Sequence, residues 1–465
     1  MAKSLPSRSR NPRVPRKTNP APPTVHPDAA GIDVGATQLF VALPFDRAPE
    51  PVRVFETFTA DLEALAAWLK EHQITTVAME STGVYWIPVF QVLETRGIEV
   101  VLVNAHHAKN VAGRKTDVSD CQWLQYLHSV GLLRGSFRPP DEICAVRSLL
   151  RHRSNLVAQA SAHIQHMQKA LTQMNLLLQH VLSDLSGQSG LAMIDAMLGG
   201  ERNPERLAAL RDPRVKASEA TIRKALVGDW RTEHLFTLRQ SRESYRHCQT
   251  QIRECDGEIE RQLAALRSQV DPTQTPPPPA KPSQARPHKG DITLVDADLR
   301  TELYRVLGTD VTQIPGLGTV SGAGLLAELG ADLGAFPTAG HFTNWLGLCP
   351  NPEISGGRVL KRGTRKVKHR AATIFRLAAQ SLHHDGSELG GFYRRMRSKL
   401  GAPKAITATA HKLARIYYHL VTTKEAYDAS VFAKNEERET KRRTDRVLRE
   451  AKALGLVLSS ESASA

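Results

Sequence analysis

Four carboxylates and one serine stand in settings that call for a chemical explanation. Gly31-Ile-Asp-Val-Gly35 puts Asp33 inside an apolar, strand-forming run, where an uncompensated charge is costly. Val77-Ala-Met-Glu-Ser-Thr82 puts Glu80 just past the end of a second apolar strand. Lys115-Thr-Asp-Val-Ser-Asp120 sets Asp117 and Asp120 three apart, on one helical face. Carboxylates at two strand ends and a helix terminus can converge, and converging carboxylates repel unless a cation lies between them. Mg²⁺ suits them, because it takes hard oxygen ligands and keeps positions open for phosphate. Read structurally, Asp120 is a helix-surface residue and Asp117 an N-cap, whereas the apolar surroundings of Asp33 and Glu80 resist such a reading.

The serine is Ser355, followed by Gly356 and Gly357. Arg358, Lys361, Arg362, Arg365, Lys366, Lys368 and Arg370 come next, and no acidic residue occurs from Ile354 to His384. A hydroxyl beside a phosphate gripped by arginines is placed for attack, with the developing charge offset. The plain reading of Ser-Gly-Gly is a flexible turn. Val367, Ala371, Ile374, Phe375, Ala378 and Leu382 give the same stretch an apolar helical face, so a basic face lies over a packed one. Upstream, Ile314-Pro-Gly316-Leu-Gly318 precedes a small-residue helix. That is the helix-hairpin-helix pattern, whose glycines admit a phosphate to backbone N–H groups without reading sequence.

The elements that must hold these residues are legible from periodicity. Strands are expected over Gly31–Pro44, Pro51–Phe58, Thr75–Met79 and Glu99–Val103, and helices over Asp61–His72, Tyr85–Thr95 and Asp117–Val130. The order β-β-α-β-α-β-α specifies an α/β domain with a mixed sheet. Val157, Ala160, Ile164, Met167, Leu171, Met174, Leu178 and Val181 trace a heptad seam. Leu238, Tyr245, Cys248, Ile252, Cys255, Ile259 and Leu266 trace a second, interrupted by Ser241 and Gln262. Two such helices form an antiparallel hairpin, a dimer contact, or both. The expected organisation is a disordered basic arm (1–28), an α/β domain (29–140), a helical coiled-coil domain (141–271), a proline-rich linker (272–291), a mainly helical C-terminal domain (292–430) and a charged tail (431–465).

Composition narrows the partners. With 62 Lys+Arg against 47 Asp+Glu, the net charge of +15 favours a densely anionic partner, usually nucleic acid. The five cysteines include no CxxC pair, which argues against a zinc ribbon or a disulfide framework and for a reducing compartment. No apolar run approaches the ~18 residues of a membrane span, and the basic N-terminus lacks the apolar core of a signal peptide. Asp33-Val-Gly35-Ala-Thr37 also fits the first phosphate loop of actin-like ATPases, but the second glycine-rich loop that reading needs is missing. A 3′–5′ exonuclease wants Asp-x-Glu in the first strand, and residue 35 is Gly.

Taken in order, these motifs resemble the DEDD-type insertion-sequence transposases related to the Piv DNA invertase, the IS110 family. The resemblance runs from about Gly31 to Tyr427. It also takes in Met79-Glu-Ser-Thr-Gly83, Asn104-Ala, Gly199-Gly-Glu-Arg202, Leu346-Gly-Leu-Cys-Pro350 and Lys361-Arg-Gly363. It implies a RuvC-like ribonuclease H fold holding Mg²⁺ through Asp33, Glu80, Asp117 and Asp120. It implies that Ser355 is a nucleophile forming a phosphoserine link to DNA, in a composite site completed by a second protomer. The implied partners are DNA, a structured noncoding guide RNA and further copies of the chain, as a dimer or dimer of dimers, in the prokaryotic cytoplasm near the nucleoid. The family commonly carries two serines before the glycines; here the first position is Ile354 and Ser355 aligns with the second. The second class of function is a junction-resolving nuclease or a non-catalytic DNA-binding protein, which would keep the basic strip and need no serine.

Overall fold

The computed structural model describes residues 22–81, 83–104, 120–281, 290–361, 363–365, 367 and 369–455. The chain divides into two compact units, Met1–Arg138 and Pro139–Ala465.

The first unit is a mixed α/β domain. Its elements are β1 (Ala29–Val34), β2 (Gln38–Ala42), β3 (Val52–Glu56), α1 (Thr59–Glu71), β4 (Thr76–Glu80), α2 (Trp86–Thr95), β5 (Glu99–Val103) and α3 (Asp120–Ser129). The sheet order is β3-β2-β1-β4-β5. β2 runs antiparallel to both neighbours, whereas β1, β4 and β5 are parallel. Alternation along the strands divides the residues between two faces. Ile32, Leu39, Val41, Val77 and Met79 pack with Leu62, Leu65 and Leu69 of α1 and Val89 and Leu93 of α2 into one core. α3 covers the opposite face. Gly97, just past α2, has φ +72°, the left-handed ending that glycine takes without strain.

The second unit is mainly helical. Two long helices, α4 (Asp141–Gln173) and α9 (Thr232–Ala265), pack along each other. Between them come α5 (Leu178–Val181), α6 (Gln188–Leu198), α7 (Pro204–Ala208) and α8 (Glu219–Ala225). The amide of Asp229 donates to the carbonyl of Met174, so α9 starts where α4 ends and the pair is antiparallel. The seam differs from its expected course. Val157 and Ile164 are only half-buried, whereas Leu156, Ala160, Met167, Ala170 and Leu171 are buried. Leu178 and Val181 lie beyond the end of α4. Upstream the buried stripe continues through Arg153, which pairs with buried Asp256 of α9. A buried cation on the seam hides the period from a purely apolar reading. On α9, Ser241 is buried with its hydroxyl on the carbonyl of Thr237, and Leu263 takes the place that Gln262 interrupts.

Asp256 and Glu260 also receive the chain that follows. Asp256 accepts from the amide of Thr293, and Glu260 accepts from those of Val295 and Asp296. The proline-rich stretch is no free linker over its described part. Arg300 donates to the carbonyl of Pro278, Gln313 donates to that of Pro279, and Lys281 donates to that of Gln313. Residues 282–289 lie outside the described residues. The Gly199-Gly-Glu-Arg202 motif is a structural turn. Gly200 has φ +101°, Glu201 accepts from the amides of Arg202 and Asn203, and the Arg202 guanidinium stacks 4.4 Å from the Trp230 ring. The remaining elements are α10 (Leu299–Leu307), α11 (Thr319–Leu329), α12 (Ala339–Trp345), β6 (Glu353–Ser355), β7 (Arg358–Lys361), α13 (Arg370–Ser381), α14 (Glu388–Leu400), α15 (Ala402–Thr423) and α16 (Ser430–Ala453). No helix among the described residues is long and apolar enough to cross a membrane.

Candidate functional site

Two groups of site residues take shape, one in each unit. In the first, β1 and β4 pair in parallel up to Ile32↔Met79. One further step in that register sets Asp33 beside Glu80, about 4.8 Å away between strand axes. Both are half-buried at the C-terminal ends of their strands, the edge at which open α/β sheets bind ligands. Glu80 is the last residue of its strand rather than the first beyond it.

The direction of α3 follows from three contacts. His128 Nε2 lies 2.9 Å from Thr76 Oγ1, and Gln125 donates to the carbonyl of Ala29 at 3.2 Å, both at the N-terminal ends of the strands. At Gly31 a Cβ would come within 2.2 Å of the Cys121 carbonyl oxygen and 2.4 Å of the Gln125 nitrogen. Gly31 is therefore glycine because the α3 backbone lies directly upon it. Thr76 and Gly31 share a sheet face with Glu80 and Asp33 by alternation. The helix thus runs from the carboxylate end of the sheet to its other end, and its first residue is half-buried Asp120. Among the described residues no three His, Cys, Asp or Glu side chains are gathered closely enough to hold a metal ion. Asp117 lies outside the described residues. The side chains at this end of the sheet offer hard carboxylate oxygens, the donor type that Mg²⁺ takes.

The second group is a hairpin. Ser355 is the last residue of β6, not part of a loop, and it pairs directly with Arg358 of β7. The turn between them is Gly356-Gly357, with φ +54° and +74°, the backbone of a two-residue hairpin turn that glycine accepts. So the two glycines have a structural task, and in performing it they set the serine opposite an arginine on one face. All of β6 is exposed, and so is Arg358. At the hairpin base the amide of Asn351 donates to the carbonyl of Gly363 at 2.6 Å.

The basic strip after the hairpin is divided in its tasks. Arg365 is exposed yet donates to the carbonyl of Asn344 at the end of α12, which fixes its stem. Arg370 is exposed at the first turn of α13. The side chain of Lys361, and Arg362, Lys366 and Lys368 altogether, lie outside the described residues. His369 packs edge-on to Trp345 at 4.0 Å; burial lowers its pKa, and its Nδ1 has no partner among the described residues.

The Gly-Leu-Gly turn has a packing task that its spacing does not reveal. At Gly316, φ +84°, a Cβ would meet the Ala378 carbonyl of α13 at 2.6 Å, so this glycine serves helix packing. Gly318 caps α11 and has open space around it. Gly322 and Gly324 likewise let Leu303 and Ile374 approach.

A second basic surface escaped the sequence reading. From Leu389 to Lys424 there is no acidic residue either, and α14 carries Arg394, Arg395, Arg397 and Lys399. The signal was present, since only Asp385 and Glu388 separate it from the first strip.

Comparison with known proteins gives a consistent result. A family described as a transposase matches residues 30–176, which include Asp33, Glu80 and Asp120. The transposase IS116/IS110/IS902 family matches residues 309–394, which include Gly316, Ser355 and Arg370. A protein of Sinorhizobium fredii named as a transposase, y4pF/y4sB, is 34% identical over 127 residues, or 25% of this chain. The alignment spans only 32% of that relative's length. With matches to transposase families in both units, together about half its length, the chain belongs to the IS110 family of transposases.

Proposed function

We propose that the protein cuts and rejoins DNA as the transposase of an insertion sequence, with Ser355 as the nucleophile. The observation that carries this reading is the hairpin itself, in which an exposed serine stands opposite Arg358 beside a two-glycine turn. A serine hydroxyl must lose its proton and meet a phosphate whose charge is offset. Arg358 lies across the strand for the second task, and Arg370 follows on the next helix. Attack by Oγ forms a phosphoserine ester and releases the sugar hydroxyl; attack by that or another hydroxyl returns the serine. The energy of the broken bond is kept, so no nucleotide is needed.

Asp33, Glu80, Asp120 and Asp117 would hold Mg²⁺ in a RuvC-like ribonuclease H domain. The support is the mixed sheet with two acids in register at its C-terminal edge and the start of α3 at the same end of the sheet. The ion would supply charge stabilisation at phosphate oxygens. The phosphate-binding role of Gly316 and Gly318 in a helix-hairpin-helix narrows to Gly318 and the α11 N-terminus. A composite site between protomers and a noncoding guide RNA belong to the same proposal. So does nucleoid association; the family membership and the basic charge support them.

The test is strand cleavage and exchange on DNA carrying the element ends, for wild type, Ser355→Ala and Asp33→Asn. The reading predicts loss of exchange in both variants with the fold retained. Wild-type exchange by Ser355→Ala would leave the hairpin serine a turn residue.

A further inference from the structure

The polar cluster at the junction of α13 and α14 belongs to neither group of site residues. His383 Nδ1 lies 2.9 Å from His384 Nε2, and the Arg397 guanidinium contacts His383 Nε2. Arg394 donates to the carbonyls of His383 at 3.3 Å and Asp385 at 2.6 Å. Two guanidinium groups and two imidazoles are thus held within reach of one another. Among the described residues neither Arg394 nor Arg397 makes an ion pair with a carboxylate. Of the two acids nearby, Asp385 accepts from the amide of Ser387, and Glu388 sits in the first turn of α14.

The hydrogen-bond directions are determined by chemistry. A guanidinium only donates, so His383 Nε2 accepts and its proton sits on Nδ1, directed at His384 Nε2. His384 then keeps an N–H on Nδ1. The chain of donors therefore ends in further N–H groups, with no acceptor in the set to consume them. Gathering like charges is unfavourable unless an anion joins them. Along the chain, the acid-free run from Leu389 to Lys424 also carries Arg395, Lys399 and Lys404. Beside the cluster, Leu382 packs near Gly316, so the Gly-Leu-Gly turn adjoins it.

We infer that His383, His384, Arg394 and Arg397 form a docking point for the phosphodiester backbone of nucleic acid, distinct from the Ser355 hairpin. This rests on the reading of the protein as a nucleic-acid enzyme. Non-esterified phosphate oxygens accept from several donors at once, and contacts of this kind fix position without reading sequence. The site adds affinity and register to whatever the hairpin engages.

The experiment uses the full chain and a salt titration of binding, by fluorescence anisotropy, to a random-sequence DNA duplex and, separately, to a single-stranded RNA. Arg394→Gln/Arg397→Gln should lower the slope of log K against log salt by about two, one for each lost phosphate contact. The loss should be equal on unrelated sequences. His384→Phe, which removes the ring N–H and no fixed charge, should cost less affinity; circular dichroism and the melting temperature should match wild type in both. Loss in the DNA arm alone, or in the RNA arm alone, identifies which nucleic acid docks. An unchanged slope in both arms, with wild type binding normally, overturns this inference and leaves the proposed function standing. Failure of wild type to bind either nucleic acid overturns both.

Discussion

Asp33 and Glu80 stand on central strands whose flanking residues Ile32, Val34 and Met79 are buried, with a helix laid over them. Ser355 stands at the end of a three-residue strand that is exposed throughout. The first setting is over-determined: sheet register and the contact at Gly31 hold the carboxylate end, and the bond between Thr76 and His128 anchors the far end of the same helix. The second is determined by little more than one pairing and a two-glycine turn. In the proposed function Asp33 and Glu80 share a cation, which needs a fixed separation of the kind a packed sheet supplies. A nucleophile that must enter a backbone phosphate needs to project, and a short hairpin supplies that. Damage to the first setting should therefore show in stability as well as activity, whereas damage to the hairpin should show in activity alone.

Substitutions at the two settings put that contrast at risk. The largest effect is expected for Asp33→Asn, which removes a ligand charge at nearly constant volume. Strand exchange should fall by roughly a thousandfold, the equivalent of several kcal/mol of lost charge stabilisation, with the fold intact. Exchange within tenfold of wild type would remove Asp33 from the chemistry. Next comes Gly31→Val, which would drive a side chain into the α3 backbone. Denaturant unfolding should show a loss of about 3 kcal/mol or more. A neutral result would mean that α3 does not rest on the sheet as described.

The opposite end of the same sheet should respond to acid. His128 is buried beside Thr76 and stacked at 5.0 Å on His26, and burial first, then His26, lowers its pKa from 6.5 to about 4. The unfolded chain binds this proton more readily. Its contribution to stability is therefore complete above pH 6.5 and is lost as the pH falls toward 4. Melting temperature should drop across that window, and His128→Gln should flatten the drop. The smallest effect on stability belongs to Gly357→Ala, where a left-handed φ costs an L-residue about 1–2 kcal/mol locally. The melting temperature should not move while strand exchange falls; a matched fall in both would make the hairpin part of the core.

Much of the first unit was legible because alternation and charge conflict there. Asp33 stood out against Ile32 and Val34, and its partner Glu80 against Val77–Met79, so the strand ends were readable before their register was known. The turn at Gly356-Gly357 was readable as a turn, but not the pairing that faces Ser355 with Arg358, because strands of three and four residues leave no period. The long helices were readable: the seven expected seam positions of α9 are buried, whereas the α4 seam keeps Ala160, Met167 and Leu171 and departs at Val157 and Ile164, where buried Arg153 continues the stripe that an apolar template rejects. The proline-rich stretch read as linker since proline offers no amide donor, yet its carbonyls accept from Arg300 and Gln313. At Gly316 the glycine was readable, but not its close neighbour, the Ala378 carbonyl, because that contact comes from α13, much further along the chain.

The most direct test of the central claim is to trap the protein on a nicked DNA substrate, digest the adduct and map the modified residue by mass spectrometry. The account predicts a single phosphoserine linkage at Ser355, absent from Ser355→Ala and retained, without completed exchange, when Arg370 is replaced by Gln. A linkage at any other residue, or an adduct of equal yield from Ser355→Ala, would contradict it.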